Sequence, residues 1–248
     1  MGVTVLHAYP VPPDKTAPQV VDLIHKRIIN LGSNVTGQFL VDCETYFSSP
    51  NLLIPGQGAG NIQAQKTLHV LHNSEHPATV FSSLEPQGAA SKPPIAQTQT
   101  SNRITFTSDT LFDVLLLKLS TVYQKKLKIE SKGNRYEIGD FVVKLGVVSV
   151  TGSVKGILVE VEYLPCVVVQ SCWSLIIEFM QGFLGSVISN QIPAYLRQRT
   201  EQGGNSVYTP SDTAHQYLEH FANFRKGGPS AAPGSQQQHQ QSISGPNR

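Results

Sequence analysis

Phe141-Val142-Val143-Lys144-Leu145-Gly146-Val147-Val148-Ser149-Val150 and Ile157-Leu158-Val159-Glu160-Val161-Glu162-Tyr163-Leu164, separated by Gly152-Ser153, decide the fold. Residues branched at Cβ fit a pleated, half-buried surface, and a Gly-Ser pair between two such runs reads as a hairpin turn. A lone hairpin is marginal in water, so this one needs further strands and helices to cover it. Upstream, Val3–Ala8 and Gln38–Phe47 read as strands, with Phe39, Val41, Cys43 and Phe47 on one face of the second. Leu68–Leu71 and Thr79–Leu84 read as another hairpin around His76-Pro77.

Helical signals alternate with these strands. Thr16 with Gln19 makes a capping box for a helix over Thr16–Leu31, closed by Gly32, with Val20, Val21, Ile24, Ile28 and Leu31 at helical spacing. Ser108 is placed to cap a helix from Asp109 to about Gln124, turning Phe112, Leu115, Leu119 and Val122 inward. Cys172–Gly185 shows only a narrow polar stripe of Ser174, Glu178, Gln181 and Gly185, so that helix is expected to be largely buried, with Trp173 as a core anchor. Thr209 before Pro210 opens a last helix that carries Ala214, Tyr217, Leu218 and Phe221 inward and ends before Gly227. The expectation is an α+β protein: a strand-rich antiparallel sheet curled into a β-barrel and flanked by three or four helices.

Residues 1–227 are expected to form one barrel-like domain. Pro50–Gln65 is glycine-rich and Glu85–Asn102 is rich in Pro, Ala, Gln and Ser, so both read as flexible insertions. Residues 228–248 read as a disordered tail of Gln, Ser, Gly and Pro. The chain has 40% hydrophobic and 15% charged residues, which suits a folded core and suggests that partners cover part of the surface. A net charge of +2 argues against sequence-specific nucleic-acid binding; the tightest basic cluster, Lys125, Lys126 and Lys128, reads as the solvated end of a helix. Cys43, Cys166 and Cys172 are odd in number and lie in apolar runs, as expected of reduced, buried thiols inside a cell. The start Met1–Tyr9 carries no signal-peptide pattern, Leu6 spoils a myristoylation site, and no run reaches the length of a membrane span, so a soluble, intracellular chain is expected.

Few residues suggest chemistry. Gly56-Gln57-Gly58-Ala59-Gly60 follows no strand and opens no helix, so it fails as a phosphate cradle. His69 and His72 fall on opposite faces of a strand, which argues against a zinc site with His76. Glu160 with Glu162, and Asp42 with Glu44, each share a strand face. Such pairs inside a barrel can hold Mg²⁺ or Mn²⁺, an arrangement resembling triphosphate tunnel metalloenzymes. Those enzymes place a Lys two residues after the second Glu, where this chain has Leu164; Lys144 and Lys155 are the bases nearby. The competing account makes these carboxylates a solvated polar face opposite a Val159-Val161-Tyr163 core face. No catalytic, cofactor-binding or metal residue is assigned on this basis.

A set of short motifs, in order along the chain, resembles subunit 20 of the Mediator complex of RNA polymerase II. They are Met1-Gly2-Val3-Thr4, Val41-Asp42-Cys43-Glu44-Thr45-Tyr46, His72-Asn73-Ser74-Glu75, Phe112-Asp113-Val114-Leu115, Gly133-Asn134-Arg135-Tyr136, Asp140-Phe141-Val142-Val143-Lys144, Val159-Glu160-Val161-Glu162-Tyr163, Cys172-Trp173-Ser174-Leu175 and Tyr208-Thr209-Pro210-Ser211-Asp212-Thr213. The resemblance implies a β-barrel flanked by helices and a nuclear, non-catalytic coactivator subunit of the head module. It implies a heterodimer with Mediator subunit 18, near subunit 8 and other head-module subunits, that acts on the RNA polymerase II machinery indirectly. It implies no cofactor and no membrane, and its motifs fix no interface residue. The competing function is a metal-dependent triphosphate hydrolase using Glu160 and Glu162.

Overall fold

In the computed structural model, residues 2–49, 66–85, 104–193, 195–197 and 207–226 are described. The expectations for Pro50–Gln65 and for 228–248 lie outside them, as does that for Glu85–Asn102 apart from Glu85 itself, which ends a strand.

The elements run β1 (Val3–Tyr9), α1 (Ala17–Asn30), β2 (Asn34–Ser48), β3 (Thr67–Asn73), β4 (Val80–Glu85), β5 (Ile104–Ser108), α2 (Leu111–Lys118), β6 (Tyr123–Ile138), β7 (Phe141–Val150), β8 (Ser153–Tyr163), α3 (Val169–Leu184) and α4 (Pro210–Lys226). Residues 195–197 add a single helical turn. The eight strands form one antiparallel sheet in the order β1-β8-β7-β6-β2-β3-β4-β5, so the α+β class and the strand-rich curled sheet are as expected. The sheet is a half-barrel: β1 and β5 are its two ends and do not pair with each other.

The deciding hairpin is β7–β8. Its turn residues are Thr151 and Gly152, both in the left-handed region at φ 49° and 84°, which matches the right-handed twist of the strands that they join. A bulge between Val148 and Ser149 then sets Lys144 opposite Glu160.

The two faces of the sheet are covered differently. On the outer face α1 and α3 pack against β7 and β8, with Val20, Ile24 and Ile28 meeting Val143, Val159 and Val161, and with Trp173 and Ile176 completing the core. On the inner face α4 lies along the hollow, its Tyr217, Leu218, Phe221 and Phe224 against Leu6, Phe39, Val41, Cys43 and Leu158. A small third cluster places Leu116 of α2 over Leu68, Val70 and Val80.

Several local expectations change. The helix expected over Asp109–Gln124 stops at Lys118, and Leu119–Val122 turns into β6. Leu116 is its buried residue, whereas Leu115 is exposed. Lys125, Lys126 and Lys128 therefore stand on a strand and not at a helix end. Strand β2 begins at Asn34, four residues earlier than expected, and α3 begins at Val169, ahead of Cys172.

Candidate functional site

One set of chemistry-bearing residues lies in the hollow of the sheet, where α4 fills the space. In α4 the Asp212 carboxylate accepts from the Thr209 N–H (2.7 Å) and hydroxyl (2.8 Å), fixing the first turn. That anchors the rest of the helix along β1. The Gln216 side chain then donates to the Thr4 carbonyl (2.8 Å) and accepts from the Leu6 N–H (3.1 Å), so one amide side chain acts as a short strand on the sheet edge. His220 Nε2 meets the Leu6 carbonyl at 3.2 Å. The edge of β1 is thus closed by side chains of α4.

Deeper in, Glu160 is 2% exposed, and both its oxygens are occupied: Oε1 by the Lys144 ammonium at 2.8 Å, Oε2 by the Tyr217 hydroxyl. Lys144, equally buried, also reaches Glu75 Oε2 at 2.5 Å, and Glu75 Oε1 receives Arg135 Nε at 3.2 Å. Burial alone pushes the Lys144 ammonium down, but the Glu160 and Glu75 carboxylates outweigh it and hold its pKa above the usual lysine value. Burial, with Glu160 beside it, pushes the Tyr217 hydroxyl well above its ordinary value, so it stays a donor. Glu162 accepts the Gly2 N–H at 2.7 Å. The expected solvated face for Glu160 and Glu162 is therefore wrong, because a helix covers it.

Asp42 and Glu44 lie on the opposite face of the sheet. Asp42 pairs with Lys128 at 2.8 Å and lies 3.6 Å from His72, while Glu44 takes Lys125 at 2.5 Å and the Tyr46 hydroxyl at 2.6 Å. Burial raises the carboxyl of Asp42, but hydrogen bonds from His72 and Lys128 outweigh it and leave its pKa below the usual range. Glu44 is lowered in the same way, against burial, by Lys125 and Tyr46. His72 also bonds Asp113 of α2 at 3.1 Å; its hydrogen bond to Asp42, against burial, lifts its pKa to about 8. Glu44, Tyr46, His72, Asp113 and Lys125 rim a groove of about 550 Å³ beneath α2, lined further by Leu116.

The two acidic pairs thus have a sheet between them and share no site. The three histidines also part company. His69 is buried beside Thr45 Oγ1 (3.1 Å) and Arg225 (3.3 Å), His72 faces the groove, and His76 stands edge-on to Phe81. Among the described residues no group of three His, Cys, Asp or Glu side chains is placed to hold a metal ion. Burial pushes the Cys43 thiol up to about 12, so it is an inert core thiol. No helix among the described residues is long and apolar enough to cross a membrane.

The network joining Lys144, Glu160 and Tyr217 was not visible in the motifs. A two-residue turn alone would set Lys144 opposite Val159; the bulge in β7 moves it opposite Glu160. Tyr217 was expected inward, but as an apolar residue, and nothing local marks its hydroxyl as the partner of a strand carboxylate.

Fold and interior define a class: a half-barrel whose hollow is filled by its own last helix and whose interior charges are spent on each other. The family described as "Med20: TATA-binding related factor (TRF) of subunit 20 of Mediator complex" matches residues 1–222. The chain is 48% identical to Mediator of RNA polymerase II transcription subunit 20 of Anopheles gambiae and 41% identical to that of Homo sapiens, each covering 91% of this chain and 95% of the relative. A chain in the Schizosaccharomyces pombe Mediator head module is a distant likeness, with a TM-score of 0.28 and 13% identity over 64% of this chain and 79% of that one. The chain belongs to the Mediator subunit 20 family.

Proposed function

We propose that this chain is a non-catalytic subunit of the Mediator coactivator complex, built into the head module in the nucleus. Its finer role in that reading is to pair with Mediator subunit 18, near subunit 8, and to help relay regulatory signals to RNA polymerase II without touching specific DNA sequences. One observation carries the non-catalytic part. Among the described residues the carboxylates facing the hollow that resemble a catalytic pair are Glu160, held by Lys144 and by Tyr217 of α4, and Glu162, which accepts the Gly2 N–H. Both carboxylates are buried, and the two oxygens of Glu160 are already taken by Lys144 and Tyr217, which leaves a divalent ion none there to bind. The family match over residues 1–222 supports the assembly part.

The test has two arms. Tagged full-length chain, purified from nuclear extract, is expected to bring Mediator subunits with it by mass spectrometry, and recombinant subunit 18 is expected to co-elute with it. Phosphate release from nucleoside triphosphates with Mg²⁺ or Mn²⁺ is expected to stay at background. Turnover that disappears in Glu160→Gln and Glu162→Gln would overturn the reading.

A further inference from the structure

The two ends of the sheet are treated unequally. At β1 the outward backbone groups of Thr4 and Leu6 are taken by Gln216 and His220. At β5 the backbone is bonded only to β4 among the described residues, and its outer row of N–H and C=O groups faces away from the sheet. Natural edges are blunted by charges, prolines or bulges, because a bare ladder templates pairing with another chain. Strand β5 reads Ile104-Thr105-Phe106-Thr107-Ser108 and carries none of these.

What lies beside this edge is apolar. Ile104 is 62% exposed and Phe106 37%, and the Phe106 ring stands edge-on to Phe112 of α2, 5.6 Å away. That contact joins the edge to the exposed leucines of α2: Leu111 at 68% and Leu117 at 75%. Between β5 and α4 runs a cleft of about 170 Å³, walled by Phe81, Phe106, Ala214 and Leu218, in which His215 is the one ionisable lining residue. Ser82, on the same wall, is buried with a hydroxyl that has no hydrogen-bond partner.

We infer that the outer edge of β5 receives an extended, uncharged strand from a neighbouring subunit, adding a ninth strand whose body rests on the exposed apolar residues of α2. The ladder dictates the conformation of the occupant, since only an extended backbone matches a row of alternating donors and acceptors. The walls, uncharged apart from His215, dictate its composition, since a charged side chain entering them would lose its hydration for little compensation. The closed β1 edge removes head-to-tail stacking of copies, in which β5 of one molecule would pair with β1 of the next. The inference rests on the assembly reading proposed above.

Hydrogen–deuterium exchange on the full chain tests it, alone and in complex with recombinant Mediator subunit 18. The outward amides of 104–108, which β4 does not hold, are expected to exchange freely in the chain alone and at least tenfold more slowly in the complex. Phe106→Lys is expected to weaken the complex at least tenfold while the chain still unfolds cooperatively; Ile104→Lys serves where the first variant fails to fold. Leu31→Lys, at the far end of α1, is expected to change neither. A complex whose β5 exchanges as freely as before would overturn this inference alone. Failure of the wild-type chain to bind subunit 18 would overturn the pairing proposed above, and this inference with it. A dimer of the free chain that Phe106→Lys disperses would show the edge to be a self-contact and would also overturn it.

Discussion

Lys144 is the residue on which the interior turns. It is a full charge, 1% exposed, kept in place by Glu160 and Glu75. Removing one partner of a buried pair strands the other charge, so Lys144→Met is expected to cost about 3–5 kcal/mol. Adding Glu160→Gln is expected to restore part of that, and denaturant midpoints of the two single variants and the double variant measure the coupling. Trp173 is a different kind of anchor: 7% exposed on α3, its indole N–H donates to the Asn190 carbonyl at 3.3 Å. Trp173→Ala is expected to lower the unfolding free energy of the isolated chain by about 3–5 kcal/mol, read by denaturant titration. Two histidines set opposing pH limbs. Burial, with His220 nearby, lowers the pKa of His7 from 6.5 to about 4, so between those values the unfolded chain takes up a proton that the folded chain refuses, and acid destabilises. His72 is raised from 6.5 to about 8, so its contribution is full below 6.5 and is lost as pH climbs through 8. Stability is expected to peak near pH 6.5; His7→Gln should flatten the acid limb and His72→Gln the alkaline one.

Among the elements, α4 depends on one glycine of β8. A Cβ on Gly156 would stand 2.5 Å from the Phe224 ring, so that ring lies directly on the strand backbone. Gly156→Ala is expected to displace the end of α4 and cost about 1–3 kcal/mol, as overpacking does. Circular dichroism melts of this variant, with and without Phe224→Leu to relieve the crowding, test that account. How well each element could be read from sequence follows its burial. β7 and β8 are buried on both faces, so their Val and Ile runs announce them. α1 and α3 each present one apolar face, which the helical spacing exposes. β6 is half polar, Lys-Lys-Leu-Lys-Ile-Glu-Ser-Lys, because its partner β2 supplies the counter-ions Glu44 and Asp42. A strand stabilised by cross-strand ion pairs has no local apolar signature, and it passed for the end of a helix. β5 was missed for a related reason: it is five residues long and largely exposed. Of the interior site, the carboxylates were legible as a pair, but their covering was not, since it arrives from a helix more than fifty residues downstream and through a bulge that no spacing reveals.

For the molecule as a whole, the described fold ends with α4 at Lys226. Deleting Gly228–Arg248, expected from composition to be a tail without apolar anchors, should leave the thermal midpoint within about 2 °C, less than the loss of 1 kcal/mol would cause. Deleting from Pro210 onward should instead abolish cooperative unfolding, because Gln216, Tyr217, Phe221 and Phe224 leave with the helix that fills the hollow. The way in which α4 closes β1 also has a consequence in time. Strand β1, made before the other strands described, pairs with β8 and is sealed by side chains at positions 216 and 220, so the bond from Gln216 to Leu6 spans 210 residues. During synthesis β1 therefore waits for β8 before it pairs at all, and its outer edge stays open longer still, until α4 follows. Contacts this distant in sequence make folding slow and leave strand edges exposed to neighbouring nascent chains in the interval. The arrival of α4, not the emergence of any earlier segment, is the moment at which this edge of the sheet can close.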